Sequence, residues 1–224
     1  MSVDANTTDP HLQIPEKAVL YEIAGSAYAD NFTGNIDGFS LLKQTPTLKF
    51  FKKDDYPVIV IGVRGTADFQ DFLAWLPVVL DTIIDTERYK RDTAELLHFQ
   101  ENYKPFQYYF YATGHSLAGV IIDEWLKAGL ILGGRTYNPA IQSKDVSAPY
   151  TNNYRVYATG DPLYGLFGRR AKVRPEVRQS QKRTGQFSLG AYFFGKDMLG
   201  EHNLNNPVFV GGSLDGLFMS KFNS

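Results

Sequence analysis

The chain has 224 residues, 43% of them hydrophobic and 14% aromatic, which is enough to bury one substantial core and too apolar for a disordered segment. Its formal net charge of -1 removes any global electrostatic argument for nucleic acid as a partner. The absence of cysteine excludes disulfides, thiolate zinc sites and a cysteine nucleophile, and favours a reducing, cytoplasmic setting.

In chain order, residues 1–15, with Asn6-Thr7-Thr8-Asp9-Pro10, read as a loosely ordered tail. They carry no basic start followed by an apolar stretch, and no apolar run in the chain reaches the ~18 residues of a membrane span. A soluble protein without a signal peptide or transmembrane segment is therefore expected. Residues 16–224 read as a single domain, opening with a helix that puts Val19, Leu20, Ile23 and Ala24 on one face and continues to Tyr28. A less regular stretch is expected from there to about Pro46. Val58 to Val63 is a β-branched run of the kind buried on both faces of a parallel sheet, and it ends in Arg64-Gly65-Thr66. Charges and apolar residues alternate at helical spacing from Thr86 to Tyr103, where Pro105 stops the helix. Phe106 to Ala112 reads as a second buried strand, running through Thr113-Gly114-His115-Ser116 into a helix from Leu117 to Ala128 closed by Gly129. Arg135 to Tyr137 and Tyr154 to Ala158 are further strand candidates. Strands alternating with helices imply an α/β fold: a mostly parallel central sheet with helices on both faces.

In such sheets the reacting groups sit beyond the carboxyl ends of the strands. The exit at Ser116 is a strand, a sharp turn and a helix, with small or polar residues at the bend. A serine held there projects its hydroxyl out of the sheet, and the next backbone amide faces the oxygen that becomes negative during acyl transfer.

Gly114-His115-Ser116-Leu117-Ala118-Gly119 resembles the nucleophile elbow of the class 3 (fungal-type) triacylglycerol lipases, members of the α/β-hydrolase superfamily. Val63-Arg64-Gly65-Thr66 is similar to that family's Arg-Gly-Ser/Thr turn, whose hydroxy residue contributes to the oxyanion hole. The strand from Tyr154 into Asp161-Pro162 is similar to the segment carrying the family's triad aspartate. With Ala24 to Tyr28 and His202 in matching places, the resemblance spans Ala18 to Asn206 and implies a compact α/β-hydrolase fold with esterase or lipase activity. One position departs: the family has glycine two residues after the serine, and this chain has Ala118. The extra methyl tightens the turn, but alanine is the smallest substitute and is compatible with activity.

In this fold the triad runs Ser, then Asp or Glu, then His along the chain. Only His202 follows Ser116, in the polar loop Glu201-His202-Asn203, so it is the candidate base. Asp123, Glu124, Asp145, Asp161, Glu176, Asp197 and Glu201 compete for the acid. Asp161 is best placed, directly after a strand and restrained by Pro162, and Asp145 is its main rival. Oxyanion donors are expected from Leu117 and Thr66. No metal or organic cofactor is called for.

After the oxyanion turn, Phe69, Phe72, Leu73 and Leu76, with Trp75 between them, give an apolar helical face that Pro77 ends. The resembled lipases carry a lid there, which implies a lipid or small-ester substrate and transient contact with a lipid interface; the plain alternative is a packed core helix. The basic stretch from Arg169 to Arg183 could meet anionic headgroups, although a solvated surface is the commoner use of such a run. Two rival functions share these features: a thioesterase or peptidase on the same fold, and an inactive hydrolase-like binding module.

Overall fold

The computed structural model describes residues 15–66, 82–103, 107–146, 152–169 and 176–178. Among the described residues, eight strands form one sheet in chain order: β1 (Asn35–Ile36), β2 (Phe39–Gln44), β3 (Leu48–Lys53), β4 (Val58–Val63), β5 (Tyr109–His115), β6 (Gly133–Tyr137), β7 (Asn153–Ala158) and β8 (Glu176–Arg178). The first four pair antiparallel and the last five parallel, so four of the seven pairings are parallel. The parallel half is the expected one, and the antiparallel flank is an addition to it.

Strand β4 shows why the sheet closes over two cores. Every one of its residues is buried. Ile59, Ile61 and Val63 face one side, with Leu48 and Phe50 of β3; Val58 and Val60 face the other, with Phe51. Helix α2 (Glu87–Glu101) and helix α3 (Ala118–Lys127) cover the first face. There Phe99 stacks on Phe50 at 4.2 Å between ring centroids, and Val120, Ile121 and Trp125 are fully buried. Helix α1 (Lys17–Ser26) covers the opposite face with Val19, Leu20 and Ile23, tied to the sheet by the Thr113 hydroxyl donating to the Leu20 carbonyl at 2.9 Å. Helices thus lie on both faces of the sheet, as expected for this α/β fold. Among the described residues no helix is long and apolar enough to cross a membrane.

Local chemistry sets the helix ends. The Thr86 hydroxyl caps α2 by accepting from the Tyr89 amide at 3.2 Å, satisfying one of the donors a helix start leaves open. At the end of α3 the Gly129 amide reaches the Leu126 carbonyl at 3.1 Å and the Leu130 amide reaches Trp125 at 2.9 Å, a double closure around a left-handed glycine.

Three sequence expectations are corrected. The stretch from Tyr28 to Pro46 is not irregular: it contains β1 and β2, joined at Asp37-Gly38. Both turn residues have positive φ, 41° and 75°, between the paired Ile36 and Phe39, so their twist matches that of the strands. A register shift between Leu41 and Lys43 interrupts the alternation that marks a strand, which hides β2 from a pattern search. Strand β5 runs from Tyr109 to His115 rather than from Phe106 to Ala112. Its pairing with β4 aligns Val58 with Tyr109 and Val63 with Gly114, so the neighbour strand, not the aromatic run, sets its limits. Finally, Glu176–Arg178, read as part of a solvated basic stretch, is edge strand β8 beside β7.

Beneath α3 lies a buried polar cluster. The Asp123 carboxylate accepts from the Asn153 amide at 2.8 Å and from the Arg155 guanidinium at 2.9 Å, and the Thr136 hydroxyl meets the Asn153 side chain at 3.1 Å. All four side chains are buried. Burial raises the Asp123 carboxyl above its ordinary value, against the pull of Arg155 and Asn153.

Candidate active site

Because β4 to β8 run parallel, their carboxyl ends open on one edge of the sheet, and Thr66, Ser116 and Asp161 all lie just past such an end. Ser116 follows β5 directly and has φ 60°, a left-handed conformation that costs a residue with a side chain about 1–3 kcal/mol. The bend is held by backbone bonds. The Ser116 amide donates to the Tyr137 carbonyl at 3.2 Å, and the Ser116 carbonyl accepts from the Gly119 and Ala140 amides, both at 3.0 Å. Its hydroxyl oxygen is buried and meets no hydrogen-bond partner among the described residues. Leu117 and Ala118 then open α3, where the first amides have no carbonyl behind them within the helix.

Ala118 departs from the resembled pattern without disturbing this bend. A Cβ on Gly114 would lie 2.6 Å from the Ala118 methyl and 2.7 Å from the Val63 carbonyl oxygen. The methyl therefore sits in the space that Gly114 leaves open, fully buried between strand and helix.

The turn after β4 packs against this elbow. A Cβ on Gly65 would collide with the His115 carbonyl and the Tyr28 hydroxyl, so only glycine lets the two strand exits touch. The Tyr28 hydroxyl in turn lies 2.9 Å from Nδ1 of His115, which turns this imidazole toward α1. Burial pushes the Tyr28 phenol well above its ordinary value, opposed by the Gly65 amide and by the charges of Arg88 and Arg64, so it stays protonated. On the side of α2, Arg88 donates to the Arg64 carbonyl and, at 3.4 Å, to the Gly65 carbonyl. Its Nε meets the buried Asp92 at 3.1 Å. The Thr66 hydroxyl oxygen is buried and, like that of Ser116, has no partner among the described residues.

Asp161 is 1% exposed at the exit of β7. Its Oδ1 accepts the Leu163 and Tyr164 amides at 2.7 and 3.3 Å, which fixes the carboxylate at the sheet edge. Its competitors among the described residues are engaged in ion pairs. Asp145 pairs with Lys127, which also holds Glu124 at 2.6 Å; Asp123 pairs with Arg155; and Glu176 receives Arg135 at 2.7 Å. Asp197, Glu201 and His202 lie outside the described residues, as do Phe69, Phe72, Leu73, Trp75 and Leu76 of the expected lid. Among the described residues no three His, Asp or Glu side chains converge as metal ligands would.

One contributor escapes a motif search. Arg88 lies on α2 and Tyr28 in the turn just past α1, and packing brings both to the turn after β4. Arg88 does leave one sequence signal: a cation in the first turn of a helix opposes the helix dipole and suggests that its guanidinium is used elsewhere.

No known family model matches the chain, and no curated protein matches it. Among solved structures, it is similar to the Lip2 lipase of Yarrowia lipolytica, at 14% identity and a TM-score of 0.49, over 83% of this chain and 90% of that one. It is also similar to MDLA, in a mutant form, from Penicillium cyclopium, at 14% identity and a TM-score of 0.44, over 78% of this chain and 82% of that one.

Proposed function

We propose that the chain is a serine hydrolase of carboxylic esters, acting on acylglycerol or other lipid esters through an acyl-enzyme on Ser116. The observation that carries this reading is the Ser116 hydroxyl, buried on a strained strand-to-helix bend and without a partner among the described residues. Backbone strain costs stability, and it persists where a side chain is held ready for another task.

His202 takes the hydroxyl proton as the serine oxygen attacks the ester carbonyl, because a serine hydroxyl at neutral pH is a poor nucleophile. The carbonyl oxygen becomes an anion, and the Leu117 amide and the Thr66 amide and hydroxyl donate to it. Collapse of the tetrahedral intermediate breaks the ester bond, and the imidazolium returns its proton to the leaving alcohol. Water, deprotonated by the same imidazole, then releases the carboxylic acid and restores the serine. Asp161 holds the imidazole tautomer and stabilises its charged form. Phe69, Phe72, Leu73, Trp75 and Leu76 form a lid that turns its apolar face to lipid. A long-chain ester hydrolysed no faster above its solubility limit than below it would remove the lid from this account.

A fluorophosphonate probe tests the central claim. Wild type is expected to label and Ser116→Ala to stay unlabelled; no labelling of either protein would leave an inactive binding module as the reading.

A further inference from the structure

The turn that presents Thr66 is held from outside by a residue with no place in the triad. The Arg88 guanidinium donates to the carbonyls of Arg64 and Gly65, two consecutive peptide units. Its other edge is fixed: Nε meets Asp92 at 3.1 Å, and Asp92, 1% exposed, also accepts from the Thr47 hydroxyl at 2.7 Å and from Arg91 at 3.1 Å. Arg88 is thus anchored to α2 and to the loop before β3, and presents a planar fork to the turn.

The consequence follows from peptide geometry. A trans peptide is planar, with its C=O and N–H pointing in opposite directions. A guanidinium that gathers the Arg64 and Gly65 carbonyls on one side therefore turns the Gly65 and Thr66 amides to the other. The Gly65 amide does face the Tyr28 hydroxyl, beside His115 and the elbow. Thr66 is the next donor in that row. The positive charge on the carbonyl side also polarises the Gly65–Thr66 peptide, which makes its N–H a stronger donor to an anion.

We propose that Arg88 is a positioning residue, clamping the Arg64–Gly65 carbonyls so that the Thr66 amide is aimed at the oxyanion before substrate arrives. Its catalytic consequence rests on the hydrolase reading above; the clamp itself does not. Such preorganisation is where acyl-transfer sites gain most of their advantage, because a donor already in place needs no reorientation as charge develops.

The test combines amide hydrogen exchange with ester kinetics on wild type, Arg88→Ala, Arg88→Lys and Asp92→Asn. In Arg88→Ala, exchange at Gly65 and Thr66 is expected to rise by about tenfold or more, while the amides of β5 stay protected. With a short-chain p-nitrophenyl ester, kcat should fall about 100-fold and KM should stay within about twofold, the signature of an interaction made in the transition state. Millimolar guanidinium should restore part of the kcat of Arg88→Ala and none of that of Ser116→Ala. Arg88→Lys, which keeps the charge but not the fork, should fall between the two, and it serves as the readout if the alanine variant does not fold. Unchanged exchange at Gly65 and Thr66 in a folded Arg88 variant overturns the clamp, and so does an unchanged kcat in an enzyme active as wild type. Faster exchange in Arg88→Ala alongside a wild type that neither labels nor hydrolyses would uphold the clamp and remove the hydrolase.

Discussion

Two groups of buried polar side chains lie against helix α3, one under its middle and one at its start, and they are treated in opposite ways. Beneath the helix, Asp123, Asn153, Arg155 and Thr136 satisfy one another through bonds of 2.8 to 3.1 Å, and only Nε of Arg155 is left over. At its start, Ser116 and Thr66 keep buried hydroxyls with no partner among the described residues, and Ser116 does so on a left-handed backbone. The first group is paired within itself; the second is supported from behind, as the proposed function requires of a nucleophile and its oxyanion donor. The supports at the second place are backbone bonds to Tyr137, Gly119 and Ala140, the Tyr28–His115 contact, and Arg88.

Substitutions should pull these two groups apart. The largest effect is expected from Arg155→Met, which strands the Asp123 carboxyl in the interior. Breaking a buried pair from one side costs about 3–5 kcal/mol, read from the midpoint of urea unfolding. The fraction still folded should label with a fluorophosphonate at the wild-type rate, and a slowed rate there would mean that the cluster reaches the site. Thr66→Ala should show the reverse. Removing one oxyanion donor costs about 2.7–4 kcal/mol of transition-state stabilisation, seen as a fall in kcat of roughly 100- to 1000-fold. The urea midpoint should hold steady or rise, since the hydroxyl removed has no partner among the described residues. A stability loss with full activity would make Thr66 part of the scaffold instead. The smallest effect is expected from Gly38→Ala in the hairpin far from both groups. Placing a Cβ at φ 75° costs about 1–2 kcal/mol, and neither labelling nor kcat should change.

The parallel half of the sheet, apart from edge strand β8, was legible because its strands are short β-branched or aromatic runs bounded by turns, and helices of clear period separate them. Val58 to Val63 matched the observed strand at both ends. Helix α2 and the closure of α3 at Gly129 were equally readable, since caps are local chemistry. The antiparallel flank was not read, although Asp37-Gly38 is a strong two-residue hairpin signal; the irregular register at Leu41 and the half-exposed faces of β2 masked the strands on either side. At the site, Ser116 was marked by its flanking residues, and Asp161 was ranked above Asp145 by its place after a strand, by Pro162 and by the family resemblance. In the structure Asp145 is paired with Lys127, and Oδ1 of Asp161 accepts two backbone amides beyond β7.

The sequence by itself determined what depends on neighbours along the chain: the buried strands, the helix ends, the glycines at the elbow and a serine at the bend. Only the tertiary structure decided what depends on neighbours across it. Gly65 against the His115 carbonyl, Ala118 in the space beside Gly114, and Arg88 on the carbonyls of the turn after β4 join residues whose spacing carries no period. Local conformation is set by torsions and hydrogen bonds within a few residues, and a sequence displays these directly. Contact between distant strand exits is set by how a whole sheet pairs and how closely its helices pack, and no local stretch of sequence encodes that distance.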